Sequence, residues 1–182
     1  RIGEEFVKSA VRLHRVEPAE KVLNRALERG PAAAVYIARA LLYWNSDRAA
    51  LALESLEAAS KLDAREARAY LLGAEIQSAA GNLQPMRKLI GRALVLNPRD
   101  PEALGLAAEA ELKDGRLEPA FRLSEGALGI DPGESRAMEV RALALAQLGR
   151  VAEARNAFLR LVAAAPEAST SRNNFGVFEL QQ

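Results

Sequence analysis

Small and apolar residues recur along this chain at helical spacing, and the pattern restarts at regular intervals. After Pro101 the small or apolar positions are Ala103, Leu104, Ala107, Ala108 and Leu112. That i, i+3, i+4 order predicts a helix with one buried stripe. Gly115 closes it, because glycine accepts the positive φ that ends many helices. A second helix starts within a residue or two. Pro119 falls in its first turn, where a missing N–H breaks no bond, and Pro85 and Pro18 hold matching places. The second stripe is Ala120, Leu123, Ala127 and Leu128. Asp131-Pro132 ends it, since the residue before a proline is driven out of the α region.

This two-helix pattern is periodic. Pro98, Pro132 and Pro166 are spaced by 34 residues, and so are Gly81, Gly115 and Gly149. Leu83, Leu117 and Val151 keep the same phase, as do Met86, Ala120 and Ala154, and Ala93, Ala127 and Leu161. The phasing predicts one array over residues 1–182. Residues 1–32 form a partial repeat, its second half matching with a one-residue slip. Full repeats follow at 33–66, 67–100, 101–134 and 135–168. A lone helix over 169–182 is either a cap or a truncated repeat. One helix pair has no partner for its apolar face, so stability comes from stacking neighbours.

Composition narrows the functional classes. Lys+Arg number 25 against 24 Asp+Glu, a net charge of +1, which argues against a dedicated nucleic-acid binder. Hydrophobic residues are 49% and charged residues 27%, the balance of a foldable chain and not a disordered one. No run of about 18 apolar residues occurs, so no membrane insertion is expected. Cysteine is absent, which excludes disulfides, thiolate nucleophiles and Cys-ligated metals, and is compatible with cytoplasm or periplasm. His14 is the one histidine. It falls where later repeats have glycine and reads as a turn residue. No metal site, cofactor or catalytic group is expected. Carboxylate pairs such as Glu109 and Glu111 read as solvated helix faces. Asp131-Pro132-Gly133 reads as a turn, because Pro132 removes a phosphate-binding donor. The chain opens on Arg1 with no signal-like region, which reads as a processed or trimmed piece of a longer protein.

The repeat resembles the tetratricopeptide repeat, a 34-residue helix–turn–helix unit with W-x₂-L-G-x₂-Y, a later A-x₃-F and a closing Pro. The stretch GRLEPAFRLSEGALGIDP, from Gly115 to Pro132, is similar to its second half. So is GRVAEARNAFLRLVAAAP, from Gly149 to Pro166. SRNNFGVFELQQ, from Ser171, resembles a first helix, with Phe175-Gly176 in place of Leu-Gly. Some positions depart from the pattern. Tyr36, Tyr70, Leu104 and Met138 stand where Trp is usual, Arg39 and Arg141 where Leu is usual, and Glu111 where Tyr is usual. These three charges are expected to pair with a neighbouring repeat or to snorkel.

The resemblance implies an all-α, right-handed solenoid of antiparallel helix pairs, a superhelix of about eleven helices with first helices lining a concave groove. It further implies a non-enzymatic scaffold whose groove takes a peptide or helix of another protein. Carried onto this chain, the groove positions hold Leu41 and Trp44, then Arg68, Leu71, Leu72 and Glu75. The third full repeat supplies Glu102, Leu106, Glu109 and Lys113. The fourth supplies Arg136, Glu139, Leu143 and Gln147, and the final helix Asn173 and Asn174. Trp44 is either an aromatic anchor or a packing residue. The Lys/Asn/Arg clamp that some relatives use for chaperone C-termini is not supplied, since Ile37 and Leu41 hold its sites in the first full repeat. The Ala/Arg/Leu-rich style suggests a bacterial setting in envelope, pilus or secretion assembly. A regulatory or targeting module of a larger enzyme, such as a glycosyltransferase, and a self-assembling scaffold are the alternatives.

Overall fold

In the computed structural model, the described residues are 2–164, 166 and 169–180, so the outermost positions of the partial repeat, the fourth repeat and the last helix lie outside them. They form eleven helices and no strand: α1 (Ile2–Arg12), α2 (Val16–Arg29), α3 (Ala33–Trp44), α4 (Ala49–Leu62), α5 (Ala67–Ala79), α6 (Leu83–Leu96), α7 (Pro101–Lys113), α8 (Leu117–Ile130), α9 (Ser135–Gln147), α10 (Val151–Ala164) and α11 (Ser169–Leu180). The molecule is an all-α helical solenoid of paired helices. Two compact units divide it, Arg1–Leu96 with α1–α6 and Asn97–Gln182 with α7–α11.

Each pair is joined by the same tight turn. Gly81, Gly115 and Gly149 have φ of +74°, +72° and +74°. The next residue's N–H then reaches back to a carbonyl five residues earlier, as from Asn82 to Gln77 at 2.9 Å and from Arg116 to Glu111 at 2.9 Å. This double closure consumes carbonyls that a helix end would leave unpaired. His14 at φ +53° and Asp47 at φ +58° occupy the same turn in the two earlier pairs. Their bonds match, Arg15 to Ala10 at 2.8 Å and Arg48 to Tyr43 at 2.9 Å. His14 is therefore a turn residue, as its place in the pattern predicts.

Connections between pairs repeat as well. Asp63, Asn97 and Asp131 each accept a hydrogen bond on the side-chain oxygen from the N–H two residues on, at 2.9, 3.2 and 2.9 Å. Such Asx turns halt one helix without unsatisfied donors. Three residues further, Glu66, Asp100 and Glu134 cap α5, α7 and α9 with their carboxylates.

Within each pair the helices meet on small side chains. Ala40, Ala74, Ala108 and Ala142 are each the eighth residue of a first helix, and all are fully buried. Ala52, Met86, Ala120 and Ala154, each fourth in a second helix, are fully buried too. Side-chain volume is exchanged across the seventh positions of the two helices. Arg39 faces the small Ser55, its Nε donating to Oγ at 3.2 Å. Gly73 faces Leu89, and a Cβ on Gly73 would lie 3.1 Å from Leu89 Cδ1. The register continues with Ala107 and Leu123, then Arg141 and Ala157. A long residue on one helix thus matches a short one on the other, as close packing demands.

At the start of the chain, Val7 and Ala10 of α1 pack with Ala19, Leu23, Ala38 and Leu42. At the other end, Phe178 of α11 is buried on Phe158, ring centroids 5.2 Å apart, with Phe175 stacked at 5.8 Å.

Substitutions at the turns and at the pair interface have defined effects on stability. Gly115→Ala places a Cβ at positive φ in open space, so it should cost about 1 kcal/mol from backbone strain alone. Asp47→Gly should raise the melting temperature, and thermal unfolding followed by circular dichroism reads both. Gly73→Leu should destabilise by ~1–3 kcal/mol through overpacking. Adding Leu89→Ala should recover much of that loss, and denaturant titration of the double-mutant cycle measures the coupling.

Candidate functional site

The expected partner-binding side chains come from first helices, and each compact unit brings a subset of them together. In the N-terminal unit a depression of about 230 Å³ lies against α1, α3 and α5. Ile37, Ala38 and Leu41 give it apolar surface, and Glu4, Glu66 and Arg68 give it charge. The Arg68 guanidinium pairs with Glu4 of α1. Gly3 permits this approach, since a Cβ there would sit 3.1 Å from Ala38 Cβ.

In the C-terminal unit, Glu109 bridges two cations. Lys113 Nζ lies 2.9 Å away on the same helix, and Arg136 reaches it from α9. Glu139 accepts a hydrogen bond from Asn174 Nδ2 at 3.0 Å, tying α9 to α11. Five of the expected residues therefore form two polar links on neighbouring first helices. Asn173 and Gln147 are exposed, Glu75 and Glu102 are half-buried, and Leu143 packs partly against the Phe158 cluster.

Three expected groove residues are buried within the fold. Leu71, Leu72 and Leu106 are 5%, 6% and 0% exposed, and none of them lines the depression. Leu72 packs with Ile37, Ala40, Tyr43 and Leu56 instead. Trp44 is partly buried against that same cluster, which supports its packing role.

The three charges at normally apolar positions are all paired. Arg39 donates from Nη1 to Asn24 Oδ1 at 3.0 Å and lies 5.1 Å from the Tyr36 ring centre. Arg141 pairs with Glu125 of the preceding second helix. Glu111 receives Arg116 through both carboxylate oxygens, at 3.0 and 2.6 Å. Arg141 and Glu111 thus meet opposite charges, while Arg39 is held by neutral oxygens and an aromatic ring.

Two further groups escaped the sequence reading. Glu134 fills the space left by Gly105, where a Cβ would lie 2.5 Å from its Oε2. Burial pushes its carboxyl above the ordinary glutamate range, against the pull of the Ala137 and Arg136 N–H groups. The acidic residues recurring at 66, 100 and 134 were the available signal. The second is a triad: Glu20 accepts from Tyr43 Oη at 2.8 Å and from Arg48 Nη1 at 2.7 Å. Arg48 also lies over the Tyr43 ring at 4.5 Å, a cation–π contact. The hydrogen bond from Arg48 is the main cause holding Glu20 below the usual range, opposed by burial and helped by Tyr43. Nothing in the local sequence pattern links α2 to this turn.

Among the described residues no group of three or more His, Cys, Asp or Glu converges as metal ligands, and no helix is long and apolar enough to cross a membrane.

These features define a class, a helix-pair repeat protein of the solenoid type. Family models of the tetratricopeptide repeat match residues 33–66 and 122–169. The chain therefore carries tetratricopeptide repeats over these residues. Its fold is similar to that of TTC0263, a thermophilic member of the family from Thermus thermophilus. The TM-score is 0.75 at 18% identity, over 98% of this chain and 99% of that one. It is also similar to pilF of Pseudomonas aeruginosa, with TM-score 0.76 at 17% identity, over 100% of this chain and 92% of that one. YrrB, described as having an unusual peptide-binding site, gives 0.66 at 19% identity, over 87% and 82%. No curated protein sequence matches the chain.

Glu20 sets a pH response. Its lowered folded-state value means it contributes stability above the unfolded-state value, which is lost as pH falls through the folded one. Below about pH 4.3 the wild type should therefore lose stability faster than Glu20→Gln, in urea titrations across the acid range.

Proposed function

We propose that this protein is a non-enzymatic scaffold that binds a segment of a partner protein on its first-helix faces. The tetratricopeptide fold itself supports an interaction role. The observation that carries the finer reading is the depression lined by Leu41 and bridged by Glu4 and Arg68. Apolar floor with charged rim is the arrangement in which burial supplies affinity and charge selects the partner. Glu109, Lys113, Arg136, Glu139 and Asn174 extend the same chemistry to the C-terminal unit. Asn173, exposed beside Asn174, adds a donor and an acceptor for a partner backbone. YrrB, a repeat protein described by its peptide-binding site, lends support by likeness of fold. A bacterial setting in envelope, pilus or secretion assembly is part of the proposal and rests on composition; the likeness to pilF concerns the fold.

Affinity capture from a bacterial lysate tests the reading, with the native chain and an Arg68→Glu, Arg136→Glu variant as baits. Melting curves establish that both are folded. A partner held by the native chain should be lost, or weakened about tenfold or more, when two charged contacts are reversed. An unchanged set of partners would remove these faces from the function. Retention of a second copy of the chain alone would favour the self-assembling scaffold, a reading supported by the exposure of Leu13, in the turn after α1, and Leu180, at the end of α11.

A further inference from the structure

The C-terminal unit has a depression on a different face. It measures about 340 Å³ and lies between α8 and α10, with α9 beneath. Leu128, Pro132, Met138 and Ala157 supply apolar surface, and Glu125, Arg141 and Arg160 supply charge. Met138 and Arg141 each lie two residues beyond Arg136 and Glu139, about 200° further round α9. The depression is therefore separate from the first-helix face.

Side-chain size makes the space. Ala157 stands at the seventh position of α10, where α6 and α8 hold Leu89 and Leu123. Gly129 opens the opposite wall, and a Cβ there would meet nothing within 4 Å. A glycine inside a helix costs roughly 0.5–1 kcal/mol relative to alanine, and no close contact in this fold calls for one at 129. Two arginines against one glutamate leave the lining with a net positive charge. Glu125 engages the half-buried Arg141, while Arg160 is exposed on α10.

We propose that this depression is a second binding site, which takes an acidic amphipathic helix of a partner protein. A helix fits because its ridge of side chains can lie in the groove between two others. A bulky apolar side chain would rest on Leu128, Met138 and Ala157. An Asp or Glu one turn away would meet Arg160, whose planar fork suits a carboxylate. The net charge of the lining selects acidic segments over basic ones.

Fluorescence anisotropy on the full chain tests this. The probe is a fluorescein-labelled helical peptide with Glu and Leu at i, i+3 spacing, beside a counterpart with every Glu replaced by Lys. The acidic peptide should bind saturably, and the Lys counterpart about tenfold more weakly or worse. Gly129→Phe, which fills the groove, and Arg160→Glu, which reverses its charge, should each weaken binding about tenfold or more. Arg92→Glu, a charge reversal at an exposed position of α6 in the other unit, should leave it unchanged. Gly129→Phe projects into open space and removes a helix-weakening glycine, so its melting curve should match or exceed the native one. Absence of saturable binding, equal binding of the Lys peptide, or binding untouched by both groove variants would overturn the proposal.

Discussion

The close approach of two helices within each pair is the constraint on which the rest of the structure depends. It is set by a row of fully buried small residues, Ala40, Ala74, Ala108 and Ala142, against the row begun by Ala52 and Ala120. A larger side chain at these points would push the helices apart and lose contacts along their whole length. The positive-φ turn serves the same end. It reverses the chain in one residue and lets the second helix start beside the last turn of the first. Small residues and tight turns together set the depth of a first helix in its repeat, so side chains of neighbouring first helices within a unit can meet, as Glu109 and Arg136 do.

The departures from the family pattern make sense under that constraint. Arginine at the seventh position of a first helix is large and charged, yet α3 and α9 accept it. In both cases the facing position of the second helix is short, Ser55 or Ala157. The short partner makes room, and the guanidinium reaches Asn24 or Glu125 on the preceding second helix. In α3 the exchange closes the space, with Arg39 lying over Tyr36. In α9 it leaves an opening beside Gly129. The same local rule thus produces solid packing in one repeat and a cavity in another.

The polar links between repeats differ in kind from those within a helix. Lys61 and Glu57 pair along one exposed helix, a contact worth little in water. Glu20 instead joins Tyr43 and Arg48 across repeats, and Arg136 joins Glu109 across two first helices. Such links fix the register between neighbours, and the groups they use are shielded enough for their geometry to matter. Reversing one therefore changes the seam between neighbouring repeats.

The sequence by itself determined the helices, their turns and the period, because these depend on interactions between near neighbours in the chain. Gly81, Gly115 and Gly149 mark the turns through φ alone, and the alanine stripes mark the buried faces through spacing alone. Asp47 in the same turn was harder to see, since only its backbone angle reveals the glycine-like role. The site was less legible. Helical spacing identified Arg68, Glu109, Arg136 and Asn174 as first-helix residues, but it could not separate a rim position from a buried one. Leu72 and Leu106 have the same spacing and lie inside. Only tertiary structure decided that, because burial depends on how neighbouring helices cover a face. Only it revealed the Glu20 triad and the depression beside Ala157, which arise where segments far apart in sequence bring particular side-chain volumes and charges into contact.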